Sequence, residues 1–150
     1  MSERFLAEAV VPGAESSVPL LRHYVTLVLT AAGHPDPETM RLVLTELASN
    51  AVVHTRSGSP GGLVTVEVFE ISDRLARVEV TDDGAQTIPQ PRQAEDDANH
   101  GRGLCLVEAM SARWGVRPGT AGTTVWAEVL TEEAAPPTTE PTRSIDAVEA

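Results

Sequence analysis

Three side chains capable of chemistry stand four residues apart: Glu46, Asn50 and His54. On a helix, side chains at that spacing lie one above the other. A carboxylate there can orient or deprotonate a nucleophile. A neutral amide oxygen suits a hard cation such as Mg²⁺. An imidazole can approach an anion. Farther along, Asp82-Asp83-Gly84 follows an alternating apolar run. A carboxylate at a strand end can accept a hydrogen bond from an exocyclic amino group, which selects adenine. Gly84 would let the backbone approach a base. Gly101-Arg102-Gly103 precedes a renewed apolar period at Leu104. A helix starting there offers free N–H groups and a positive dipole to phosphates, with Arg102 adding charge. Gly122-Thr123-Thr124 stands before a last alternating run. Each signal alone has a plainer reading as a solvated helix flank or a turn. Four of them in order, each at an element boundary, point together to a nucleotide site.

The elements that must position these residues are legible around them. Met40, Val43, Leu44, Leu47, Ala48, Ala51 and Val52 form an apolar stripe beside the polar row, wide enough to pack on a sheet. Asp36 offers a cap for that helix and Pro37 its first position. Upstream, Phe5–Val11 reads as a strand ended by Pro12-Gly13. A helix then follows from Ser16 or Ser17 to a stop at Gly33. Val64, Val66 and Val68, then Ala76, Val78 and Val80, alternate with polar residues and read as a hairpin. Residues 85–100 lose all apolar pattern; a loop of that length in a small domain suits a lid over a ligand. Leu104–Arg113 reads as a helix, Trp114–Val116 as a short strand and Thr124–Leu130 as the closing strand. Cys105 reads as a core residue, and Trp114 and Trp126 as core or rim packing. The domain spans residues 1–130, and 131–150, with five acids, one Arg and three Pro, reads as a disordered acidic tail.

Composition bounds the function. The net charge of -11 argues against a nucleic-acid surface, which calls for a basic footprint. All 11 basic residues are Arg, so a Walker-type loop, which needs a Lys, is excluded. The single cysteine rules out an internal disulfide, and no run is apolar enough to span a membrane; a cytoplasmic protein is the expectation.

Glu46-Leu-Ala-Ser-Asn50-Ala-Val-Val-His54, Asp82-Asp-Gly84, Gly101-Arg-Gly103-Leu104 and Gly122-Thr123-Thr124 resemble the N box and the three glycine boxes of the GHKL ATPase superfamily. That group includes gyrase, histidine kinases and MutL. Size and wording look most like the bacterial anti-sigma-factor serine/threonine kinases and small actinomycete ATP-binding regulators. The resemblance covers about residues 5–130. It implies an α+β, two-layer sandwich with a mixed, mostly antiparallel sheet and helices on one face. It implies ATP and Mg²⁺ as cofactors, with Asn50 as the metal ligand and Glu46 as the catalytic residue. Asp82, supported by Thr123, would read adenine. His54, Gly84, Gly101, Arg102, Gly103, Leu104 and Thr124 would line the nucleotide.

There are departures from the family pattern. Gln86 replaces the second glycine of the first glycine box, and Glu95-Asp96-Asp97 places acids in the lid. No phosphoacceptor-histidine helix precedes the domain and no transducer domain follows it, which speaks against histidine kinase, gyrase and MutL roles. Three functions remain: a Mg·ATP-dependent kinase of a Ser or Thr on a small partner; a non-turnover ATP-binding module that sequesters a sigma factor or another regulator; and an adaptor whose acidic tail does the recognition. The implied partner is a sigma factor, an anti-anti-sigma antagonist or both, without nucleic acid or membrane, and homodimerisation is compatible with any of these.

Overall fold

A computed structural model describes residues 3–54, 61–83, 104–120 and 122–131. The expected strand becomes β1, Arg4–Pro12. Helix α1, Ser17–Ala31, buries Val18, Leu21, Val25 and Leu29 on one side. Ser16 precedes it in a helical conformation and makes no side-chain cap bond, so the expected serine cap is not formed. The expected stop is real. Gly33 takes φ +99°, and the Gly33 and His34 N–H groups donate to the Thr30 and Leu29 carbonyls. That pair of bonds closes the helix in the left-handed manner glycine allows. Helix α2, Glu38–His54, follows. Its Arg41 N–H donates to the Pro37 carbonyl, so Pro37 sits just before the helix rather than at its first position.

Strands β2, Leu63–Ser72, and β3, Leu75–Thr81, form the expected hairpin. Residues 104–110 form a third helix, α3. It is shorter than its apolar period suggests, because Arg113 already opens β4, Arg113–Pro118. Strand β5, Thr123–Leu130, closes the fold. The sheet order is β1-β2-β3-β5-β4. All four pairings among the described strands are antiparallel, so the mixed sheet expected from the resemblance is antiparallel throughout this part.

The alternation of β2, β3 and β5 gives the sheet two unlike faces. Val64, Val66, Val68, Ala76, Val78, Val80, Ala127 and Val129 point to one face and are buried. The stripe of α2 meets them: Met40, Val43, Leu44, Leu47, Ala48 and Ala51 are all at most 4% exposed. Val107 of α3 joins the same core. Among the described residues, helices therefore cover one face only, and the fold is the expected α+β two-layer sandwich.

A polar knot ties the far end of this layer together. His34 is buried; its Nε2 bonds Glu70 Oε1 at 2.8 Å and its Nδ1 meets the Thr131 hydroxyl. Arg4 donates to the other Glu70 oxygen at 3.1 Å. The bonds from His34 first, and then Arg4, hold the Glu70 carboxyl below its usual range. Thr131, read from sequence as the first tail residue, is fully buried in this knot. Residues 132–150 lie outside the described residues.

Candidate functional site

Helix α2 packs on β3 and β5, neighbouring strands of which β3 runs into the acidic motif and β5 starts from the threonine motif. Its apolar stripe is fixed in the core, so the row four residues apart comes to lie at the edge of that contact. Glu46 and Asn50 are half-buried there. The Asn50 side-chain Nδ2 is buried and has no hydrogen-bond partner among the described residues. A buried amide hydrogen without a partner costs about 1–3 kcal/mol, a cost a bound ligand removes. The backbone of His54 ends α2, but its side chain lies outside the described residues.

Asp82 follows β3 directly and is 8% exposed. By alternation it points to the helix-covered face, as Val78 and Val80 do. Its N–H donates to the Thr123 carbonyl at 3.0 Å. The Thr123 N–H returns a bond to Asp82 Oδ1 at 3.3 Å. Asp82 and Thr123 are thus one hydrogen-bonded unit. Asp83, to which sequence reasoning gave no task, accepts the Leu63 N–H at 2.8 Å. That bond fastens the end of β3 to the start of β2. No periodicity announces it, since it joins residues 20 apart.

Thr124 falls elsewhere. It pairs with Thr81 across the strands, and the two hydroxyls bond at 2.7 Å. Both belong to the face that no helix covers. A one-residue step along a strand reverses the side chain, so Thr124 is turned away from the face that holds Asp82 and Asn50. Leu104 opens α3 half-buried, and Cys105, read as core, is exposed. The expectations for Gly84, Gly101, Arg102 and Gly103, and for the acidic lid, lie outside the described residues.

The face shared by Glu46, Asn50, Asp82 and Thr123 offers a carboxylate, an unpartnered amide and a buried strand-end carboxylate. No group of three or more His, Cys, Asp or Glu among the described residues could hold a metal by itself. A cation held by one amide and by ligand phosphates is the arrangement that Mg²⁺ favours. The unpartnered Asn50 Nδ2 is a donor and fits a phosphate oxygen; the Oδ1 of the same amide is the atom that would face a cation.

No described helix is long and apolar enough to cross a membrane. No curated protein matches the sequence. Among solved structures, the fold is similar to the crystal structure of the RsbU and RsbW domains of Rv1364c from Mycobacterium tuberculosis. The TM-score is 0.56 at 20% identity, covering 85% of this chain and 34% of that one. The chain thus spans about a third of that longer protein. Residues 11–129 match the Histidine kinase-like ATPase domain, and the chain belongs to that family.

Proposed function

We propose that this protein binds Mg·ATP on the helix-covered face and transfers the γ-phosphoryl group to a Ser or Thr hydroxyl of a small regulatory partner. The observation that carries this reading is the buried Asn50 Nδ2, a donor without a partner among the described residues and so open to a phosphate oxygen, one helical turn from Glu46 and on the same face as the Asp82–Thr123 unit. Asp82 accepts the adenine amino group while Thr123 holds its carboxylate in place. Gly84, Gly101, Arg102, Gly103 and Leu104 line the nucleotide, with His54 near the phosphates. Asn50 would hold the cation through Oδ1, and a bound Mg²⁺ would supply neutralisation of phosphate charge there. Glu46 orients the acceptor hydroxyl and takes its proton as the new O–P bond forms and ADP leaves.

Family membership and the likeness to a fold containing an RsbW domain support placing this chemistry in a partner-switching pathway in the cytoplasm. The partner would be a sigma factor or its antagonist. A second reading, a binding module without turnover, is favoured by the acids Glu95, Asp96 and Asp97 and by Gln86.

Incubation with γ-labelled ATP, Mg²⁺ and candidate partners separates the two. The kinase reading expects label on a partner, lost by about a hundredfold in Glu46→Gln with ATP affinity kept. ATP binding with no transfer to any partner would leave the binding module standing instead.

A further inference from the structure

The face of the sheet that no helix covers carries an ion-pair lattice across β3, β5 and β4. Arg117 Nη2 donates to Glu79 Oε1 at 2.6 Å. Arg77 donates to Glu79 Oε2 at 2.8 Å and to Glu128 Oε2 at 3.3 Å. Arg113 grips Glu128 with two bonds, at 3.0 and 3.1 Å. Glu3 meets Arg77 from the β1 side at 2.7 Å. The charges are not equally visible to solvent. The Glu79 and Glu128 side chains are 7% and 3% exposed, whereas Arg117 and Arg113 are 56% and 70% exposed. Buried carboxylates thus hold two guanidinium tips outward, in a protein of net charge -11. Five of these residues, Arg77, Glu79, Arg113, Arg117 and Glu128, together with Trp126 line an open groove of about 280 Å³. The Trp126 ring lies against Gly115, where an added Cβ would come within 2.8 Å of it.

Strand β4 is also the edge of the sheet, pairing only with β5 among the described residues. Such an edge presents backbone groups to which an extended segment can add. Its open-face side chains are Arg113, Gly115 and Arg117. A second copy adding antiparallel about Gly115 would set Arg113 opposite Arg117 twice, and like charges directly opposite are unfavourable. Carboxylates at the same places would be favourable. Glu8 and Glu67 occupy the neighbouring half of the face, opposite each other on β1 and β2. They confine an acidic guest to the β5–β4 half.

We propose that the β4 edge is a docking site for an extended acidic segment of a partner protein, with two carboxylates four residues apart meeting Arg113 and Arg117 beside Trp126. Glycine at 115 leaves room for the indole between the two contacts. This site lies on the face opposite the proposed nucleotide site and does not depend on it.

The test uses the full chain and a fluorescein-labelled peptide, Thr-Glu-Thr-Val-Thr-Glu-Thr, at low and high salt. The control, Thr-Glu-Thr-Val-Glu-Thr-Thr, puts its second carboxylate on the other side of an added strand. The expected result is salt-sensitive binding of the first peptide and about tenfold weaker binding of the control. Arg117→Gln should weaken the first peptide by about tenfold as well. Arg113→Gln is the harsher variant, because it removes two bonds from Glu128; Arg117→Gln removes one from Glu79, which keeps its bond from Arg77, so a modest fall in melting temperature with ATP affinity unchanged keeps the test clean. In a Trp114→Phe background the emission of Trp126 should shift on binding. Equal binding of both peptides, or of a Lys-for-Glu peptide, overturns the proposal. So does a dimer that Arg117→Gln dissociates, which would make a second copy the occupant. Binding seen only after Glu132→Gln, Glu133→Gln and Glu140→Gln are introduced together overturns it too, since the chain's own segment would then fill the edge.

Discussion

The two faces of this sheet solve the same problem in opposite ways. On the helix-covered face, Val64, Val66, Val68, Val78 and Val80 are buried by other apolar side chains. On the other face, Glu79 and Glu128 are buried by arginines. The first solution is non-directional and strong, because it depends on apolar area alone. It can hold a row such as Glu46–Asn50, proposed above to meet the nucleotide, rigidly without touching it. The second is directional. Every charge must find its partner, and each partner removed leaves a buried charge exposed to a large cost. A rigid platform for ligand chemistry therefore belongs on the first face, and a selective, charge-reading surface on the second.

Substitutions can break or sharpen that contrast. The largest effect on binding should come from Asn50→Ala: ATP affinity measured by calorimetry should fall by about a thousandfold (about 4 kcal/mol). The melting temperature should hold or rise, because an unpartnered buried amide is removed. A matched loss of fold and binding would put Asn50 in the core rather than in a site.

Next comes Leu44→Ala, which cuts into the apolar layer and should cost about 3 kcal/mol in urea unfolding. Glu128→Gln attacks the ionic layer and should cost about 2 kcal/mol at neutral pH. Its pH dependence is the diagnostic. Burial pushes the Glu128 carboxyl up, but the bonds from Arg113 and Arg77 more than reverse this, and it ends below 4.5. A depressed carboxyl stabilises the fold above its unfolded value and loses that contribution as pH falls through the folded one. The gap between wild type and Glu128→Gln should therefore close in acid. The gap for Leu44→Ala should not, because no proton is involved.

Gly115→Ala should cost about 1 kcal/mol, since the new methyl meets the Trp126 ring and that flexible side chain gives way. The smallest effect has the opposite sign. Burial, then Glu79 and Glu8, raise the Glu67 carboxyl. A raised carboxyl destabilises the fold when ionised, so Glu67→Gln should stabilise at neutral pH by about 0.5 kcal/mol. Loss of stability in that variant would mean that the repulsion is already relieved by Arg117 and Arg77.

The legibility of the two faces differs for the same physical reason. Periodicity reports burial in apolar surroundings, so the stripe from Met40 to Ala51 and the valines of β2 and β3 were readable at once. Glu46, Asn50 and Asp82 were readable because they sit at fixed offsets within those elements. Thr124 lies on the other face because a motif read as a string ignores the alternation of strand side chains, and the adjacent Thr123 is the one paired with Asp82. Cys105 was misassigned because an apolar residue type is not evidence of burial near a helix start. The lattice of Arg77, Glu79, Arg113, Arg117 and Glu128 looked like ordinary solvent-facing alternation. The knot of His34, Glu70, Arg4 and Thr131 gave no signal at all.

What the sequence by itself determined is therefore the set of elements, the covered face and the order of the motifs. These follow from local geometry: a helix repeats every 3.6 residues and a strand every two. What only the tertiary structure decided is which distant residues meet. Strand order brings Asp82 to Thr123 and Glu79 to Arg117. Ion pairs and hydrogen bonds across a sheet depend on register, and register is settled only when the whole apolar face is buried at once.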